Sequence, residues 1–192
     1  MKRSLKQIAT VQMGYSFRTR LESVKDGNIL VVQMKDLLPN NIVSCDNLMR
    51  IDMDKIKEHH TVKKGDIIFR SRGLVTKSAI VMGRVSKAVV AAPLLRIRVT
   101  DNNILPEYLN WHINHPKTQS FLASRAKGTS VKMISKSALE EVELLIPSLK
   151  KQREIVALAN MIEKEKTLQE ELLHKKEAYY SHILMKIAEG DS

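Results

Sequence analysis

The sequence predicts an α+β protein, a mostly β body followed by one long coiled-coil-like C-terminal helix, on three observations. Between residues 28 and 99, short β-branched apolar runs recur, each opened or closed by Gly, Asp or Pro, the punctuation of strands and turns. From residue 105 the apolar positions change to three- and four-residue spacing, the period of a helix face. From residue 149 to about 188 neither Gly nor Pro interrupts the chain. A length of 192 residues suits one core of about 150 residues with an appendage. The expected division is a body over 1–147 and a helix over 148–192.

The elements follow in order. KRSLKQIATVQMG reads as a strand or short helix ending at Gly14, and NILVVQM (28–34) as a strand introduced by Asp26-Gly27-Asn28. In VKKGDIIFRSRG a Gly-Asp turn opens a strand, Asp66 to Phe69, that runs into two arginines around Ser71. SAIVMGRV and AVVAAPLLRIRV are expected to pair with each other as the next strands. LPEYLNWHINHPKTQSFLASRA switches to helix, with a break at Pro116, and KGTSVKM (127–133) is a polar basic loop. Ser137 and Glu140 fit a capping box for one helical turn, and Val142 to Ile146 is expected as a buried strand stopped by Pro147. The tail carries Ile155, Leu158, Ile162, Leu168, Leu172, Tyr179, Ile183 and Ile187 as a stripe. Glu165 and Gln169 fall where a strict heptad from Ile155 wants apolar residues, which marks a phase shift near residue 165. About 40 residues at 1.5 Å each make a rod of roughly 60 Å, too long for its stripe to be covered by a small domain alone.

Charge separates the same two parts. Residues 1–149 hold 24 Lys and Arg against 13 Asp and Glu, whereas residues 150–192 hold 8 of each, so the net +11 lies in the body. A basic body suits a polyanion and a neutral striped helix suits protein. MKRSLKQIATVQMGYSF lacks the apolar run of a secretory signal, and no window approaches the roughly 18 apolar residues of a membrane span, so a cytoplasmic location is expected. Cys45 is the one cysteine and reads as a small partly buried side chain.

Catalytic readings find little support. His59-His60 and the His112/His115 pair lack Cys or carboxylate partners at ligand spacing, so no metal is expected. A Walker loop, a Gly-rich nucleotide turn and a Gly-x-Ser-x-Gly elbow are all absent. The basic clusters carry more. Arg18 and Arg20 follow Gly14-Tyr15-Ser16-Phe17, Arg70 and Arg72 end a strand, and Lys127, Thr129, Ser130 and Lys132 share a loop. Arginine at strand ends can reach guanine O6 and N7 bidentately, while Lys, Ser and Thr fix register on phosphates. Aromatics make up only 4% of the chain, which favours duplex DNA over single strands held by stacking.

KKGDIIFRSRG, LPEYLNWHINHP and KGTSVKMISKSALEEVELLIPSLKKQREIV, in that order and followed by a long helix, resemble the specificity subunits of type I restriction-modification systems. The family pattern falls on Gly65, Asp66 and Ile67; Ser71, Arg72 and Gly73; Gly128 and Thr129; Ile134 and Leu139; Ile146 and Pro147; then Leu149, Gln152, Arg153, Ile155 and Val156. No single piece is specific, but the ordered set is. Lys150 and Lys151 depart from the family's Ser or Pro and Glu, leaving Ser148 as the expected helix cap. One recognition body and one helix, where the family commonly has two of each, make the chain look like a half-subunit.

The resemblance implies a non-catalytic, sequence-specific DNA-binding subunit. It implies a homodimer through the C-terminal helix, with Ile155, Leu158, Ile162, Leu168, Leu172, Tyr179 and Ile183 at the interface, reading a bipartite target in double-stranded DNA. A methyltransferase (modification) subunit and a restriction subunit are the implied partners. S-adenosylmethionine, ATP and Mg2+ would sit on those partners, with no cofactor in this chain. Three rivals remain: a stand-alone homodimeric DNA-binding regulator or antirestriction protein with the same fold, a structured-RNA binder, and an enzyme of unfamiliar type.

Overall fold

The computed structural model describes residues 2–54, 56–73, 76–128 and 132–190. By contact density the chain divides into Met1–Arg153 and Glu154–Ser192.

Among the described residues the first unit holds nine short strands and three short α-helices. The strands are β1 (Lys2–Ser4), β2 (Ala9–Met13), β3 (Ile29–Val32), β4 (Met49–Ile51), β5 (Ile67–Arg70), β6 (Ser78–Ile80), β7 (Ala88–Val90), β8 (Leu94–Val99) and β9 (Glu143–Leu145). The helices are α1 (Pro106–Asn114), α2 (Pro116–Ser124) and α3 (Lys136–Glu140). Three sheets form, in the orders β2-β8-β5-β6, β4-β3-β7 and β1-β9. The four-stranded sheet is antiparallel throughout, with Met13 and Phe69 both opposite Leu95. Ile67, Ile68 and Phe69 are fully buried, so β5 is covered on both faces, which is why its sequence runs apolar without alternation up to Arg70. Ile68 shares a cluster with Val32, Val81, Val90 and Leu94 that joins the two larger sheets.

The expected pairing of residues 78–85 with 88–99 does not occur. β6 pairs with β5, β7 runs parallel to β3, and β8 lies between β2 and β5. Pro93 has no N–H to give a ladder, and the single run AVVAAPLLRIRV divides there into two strands of different sheets. The N-terminal segment is both a strand and a short helix: β1, a 3-10 turn over Leu5–Gln7, then β2. Gly14 closes β2 where a Cβ would meet the carbonyl carbon of Ala91 at 2.7 Å, a close approach only glycine permits.

Residues 105–126 form two helices that break at Pro116, as the spacing predicts. Pro106 and Pro116 each begin a helix, where a missing N–H costs nothing. α1 docks on the edge of β6 through amides. Asn114 Oδ1 accepts from Ser78 N (2.9 Å) and its Nδ2 donates to Ser78 O (2.8 Å), replacing a neighbouring strand, while Ser78 Oγ donates to Asn110 Oδ1 (2.8 Å).

Two local expectations need correction. α3 is capped by Ser135, whose Oγ accepts from Ala138 N at 3.1 Å; Ser137 lies inside the helix, because the turn starts two residues before the expected box. β9 is not a buried strand: its one sheet partner is β1, Leu144 is buried, and Leu145 is 65% exposed.

The fourth helix, α4, spans Leu149–Glu189. Ser148 caps it, with Oγ accepting from Lys151 N at 3.4 Å and its carbonyl accepting from Gln152 N at 3.0 Å. Gln152 is fully buried in the first unit. Its Oε1 accepts from Leu105 N (2.9 Å), and its Nε2 donates to Asn103 O (2.7 Å) and Pro147 O (2.9 Å). Beyond Arg153 the helix is almost wholly exposed. Leu158, Ile162, Leu168, Leu172 and Tyr179 are all more than half exposed, and Ile155 and Ile183 are partly so. Among the described residues no helix is long and apolar enough to cross a membrane.

Candidate nucleic-acid interface

The Gly65-Asp66 turn organises the sheet that carries the basic residues. Gly65 takes φ +87°, a left-handed conformation that favours glycine, and so turns the chain into β5. The Asp66 carboxylate, 1% exposed, accepts from Lys63 N (2.7 Å) and bidentately from Arg98 (2.7 Å to each oxygen). Arg96 Nη1 lies 3.8 Å from the same carboxylate, and its Nη2 donates to His59 O. Two arginines of β8 are thereby committed to structure, and the Asp66 hydrogen bond raises the affinity of Arg98 for its proton.

Two further segments leave from the opposite end of that sheet. β2 and β5 flank β8, and Met13 and Arg70 stand beside Leu95 and Leu94 at its start. The chain after Met13 and the chain after Arg70 therefore leave from one end. The first runs through Tyr15, whose strand-like bridge to Ala91 directs it toward the exposed Arg18 and Arg20. Phe17 and Leu21 anchor this segment on the cluster of Ile29, Val31, Ile51, Val89 and Ala91. Tyr15 meets Phe17 with the rings tilted by 56° (centroids 4.7 Å apart) and His60 edge-on at 5.4 Å.

The second segment builds a ribbon. Ser71 is buried, with Oγ bonded to Pro93 O, and its carbonyl accepts from Ile134 N at 2.8 Å. Gly73 N donates to Lys132 O (3.2 Å). Lys127 and Met133 exchange both backbone bonds, at 3.0 and 2.8 Å. Residues 132–134 thus lie between 71–73 on one side and Lys127 on the other, with Met133 opposite both Arg72 and Lys127. Side chains alternate across such a ribbon. Ser71 and Ile134 point into the core, while Arg72, Met133 and Lys127 are exposed. Gly73, at φ +120°, leaves room for the Arg70 guanidinium, whose Nε comes within 3.7 Å of where a Cβ would stand. Arg70 is half-buried and its Nε has no hydrogen-bond partner.

The fold accordingly brings Arg70, Arg72, Lys127 and Lys132 together through β5 and the ribbon, and sends Arg18 and Arg20 from the same sheet end. Thr129 and Ser130 lie outside the described residues. Sequence reasoning missed Met133 as the middle of the ribbon. Lys132 and Met133 are both exposed and only Ile134 is buried, so no alternation along this stretch marks it as a strand without its pairing partners.

The histidine pairs are occupied otherwise. His112 Nδ1 lies 3.3 Å from Thr118 Oγ1, and burial, followed by the charges of His115 and Lys117, lowers its pKa to about 4. His115 Nδ1 accepts from Lys117 N. Burial, then His59, lowers the pKa of His60. Among the described residues no group of three His, Cys, Asp or Glu side chains is placed to hold a metal ion. Burial pushes the Cys45 thiol up, away from nucleophilic use. A cleft of about 760 Å³ opens beside α1 and α2, walled by Tyr108, Trp111, His115, Phe121, Arg125 and Leu145. Four of its charged wall residues form ion pairs, Arg125 with Glu141 at 3.0 Å and Lys2 with Glu143.

A β body that gathers basic side chains at one sheet end, with a long helix following, defines a class of nucleic-acid-reading domain. Within that class the chain belongs to the type I restriction modification DNA specificity domain family, whose model matches residues 1–174. No curated protein matches it significantly. Solved structures share the fold over the whole chain at 16% identity. One, from work on complex assembly and conformational transition of the type I R-M system, matches with a TM-score of 0.76 over 46% of its own length. The HsdS subunit of Thermoanaerobacter tengcongensis matches at 0.62 over 45% of its length, and the type I restriction-modification S subunit of M. genitalium at 0.55 over 47%. The chain spans just under half the length of these proteins.

Proposed function

We propose that this chain is a non-catalytic, sequence-specific DNA-binding subunit that pairs through α4, reads a bipartite duplex target and recruits a methyltransferase subunit. Residues 1–147 would act as the target-recognition domain and 148–192 as the dimerising spacer. The observation that carries the reading is the basic ribbon: Arg72 and Lys127 exposed on one face, Lys132 beside them and Arg70 at its root, in a chain of the DNA specificity family. Lysine and arginine on such a face hold phosphates and reach guanine edges. Arg18, Arg20, Thr129 and Ser130 complete the proposed contact set.

Support for the helix pairing comes from Leu158, Ile162, Leu168, Leu172 and Tyr179, whose exposed side chains recur along 41 helical residues. A second copy about a two-fold axis would bury this stripe on both chains. Two identical readers on rods of about 60 Å would favour inverted half-sites near one duplex turn apart, roughly 34–36 Å. Methyl transfer from S-adenosylmethionine, and any ATP- and Mg2+-dependent cleavage by a restriction subunit, would belong to the partners.

The test is co-expression with a type I methyltransferase subunit. Copurification, with methylation of a random duplex pool confined to a split inverted motif, is the expected result. A chain that stays monomeric, leaves the methyltransferase unbound and binds folded RNA as well as duplex DNA at fixed salt would overturn the reading.

A further inference from the structure

The ribbon holds one apolar side chain between two cations, and its dimensions select what that side chain can touch. Arg72 and Met133 face each other without exchanging backbone bonds, because the flanking bonds run from Ile134 N to Ser71 O and from Gly73 N to Lys132 O. Such pairs bring side chains closest, about 4.5 Å apart at the backbone. Met133 and Lys127 form the bonded kind of pair. Directly opposed residues project on the same side. Arg72, Met133 and Lys127 therefore form a row across the ribbon, in that order, and Met133 is 47% exposed at its centre.

Two strand spacings of about 4.8 Å set the backbones that carry the two cations roughly 10 Å apart. The major groove of B-DNA is about 12 Å wide between its phosphate walls and the minor groove about 6 Å. A row of this width matches the major groove and exceeds the minor groove. Its outer members meet the walls and its middle meets the floor. The one apolar group that a base pair presents on that floor is the C5-methyl of thymine.

We propose that Met133 is a specificity-determining residue that packs on a thymine C5-methyl in the major groove, with Arg72 and Lys127 holding the phosphates on either side. The proposal rests on the duplex-reading function above. Lys132, one residue away and pointing to the other face, is outside this contact.

The experiment is selection of duplexes from a random pool by the full chain, as wild type, Met133→Ala and Met133→Leu. Wild type and Met133→Leu are expected to share a motif containing a thymine whose preference Met133→Ala loses while the other positions keep theirs. Replacing that thymine by deoxyuridine, which removes only the methyl, should weaken wild-type binding about three- to fivefold, the burial of one methyl group, and leave Met133→Ala unchanged. A motif identical for wild type and Met133→Ala, or wild-type binding indifferent to deoxyuridine at every thymine, overturns the Met133 contact and leaves the DNA reading standing. Enrichment of no motif by wild type overturns both.

Discussion

Replacement of Gln152 gives the sharpest check on how α4 is rooted. Its side chain is fully buried and makes three hydrogen bonds, to Leu105 N, Asn103 O and Pro147 O. Gln152→Ala leaves the Leu105 N–H without its acceptor and two carbonyls without a donor, and opens a cavity. One buried unsatisfied group costs about 1–3 kcal/mol, and carbonyls tolerate the loss better than an N–H, so about 3 kcal/mol is expected for the whole. Gln152→Glu is the more telling variant. One carboxyl oxygen can still accept from Leu105 N, but the other faces two carbonyl oxygens at 2.7 and 2.9 Å unless it carries a proton. Burial and those carbonyls should raise its folded pKa by about 2 units, equal to about 2.7 kcal/mol. The sign follows: below the unfolded value of about 4.3 both states are protonated and the variant stays close to wild type. The deficit grows as pH rises through the folded pKa. Urea unfolding followed by fluorescence of Trp111, the one tryptophan, at pH 4.5 and pH 8 measures it. A Gln152→Glu deficit that is the same at both pH values, or a Gln152→Ala cost below about 0.5 kcal/mol, would refute the account.

Other outcomes can be read with the same equipment. Asp66→Asn should cost about 3–5 kcal/mol, because it strips the counter-charge from Arg98 and from Arg96, which is 5% exposed; a loss under 1 kcal/mol would contradict the turn's role. His112, at about 4 in the fold against 6.5 unfolded, should contribute stability that is complete above pH 6.5 and lost as pH falls toward 4, since the unfolded chain alone takes up a proton there. The shift corresponds to about 3 kcal/mol, discounted to about 2 for partial exposure, and the difference between wild type and His112→Gln across pH 4–7 isolates it. Leu168→Glu with Leu172→Glu should convert a dimer to a monomer in light scattering, with the Trp111-reported transition of the first unit unmoved.

Local signals carried much of the fold. Gly65-Asp66 marks the opening of β5, Pro116 the break between two helices, and the Gly- and Pro-free run the extent of α4, because each depends on neighbours a few residues away. What stayed hidden depends on distant partners. β7 runs parallel to β3 across more than fifty residues, and a three-residue strand such as β7 has no period by which its partner could be named. The sequence points to Ser137 as the cap of α3, but the chain enters the turn two residues earlier and Ser135 caps it. For the candidate site, Arg70, Arg72, Lys127 and Lys132 were legible as clusters, but their union was not. It depends on Met133 pairing with two segments about sixty and six residues away, and no single stretch encodes it.

The antiparallel pairing of Lys2–Ser4 with Glu143–Leu145 has a consequence for synthesis. The first of these strands leaves the ribosome about 140 residues before its partner. At 5–20 residues per second that is an interval of about 7 to 30 s, during which an unpaired edge is open to wrong neighbours. Lys2 and Arg3 place positive charge on that edge, and like charges disfavour edge-to-edge pairing between copies.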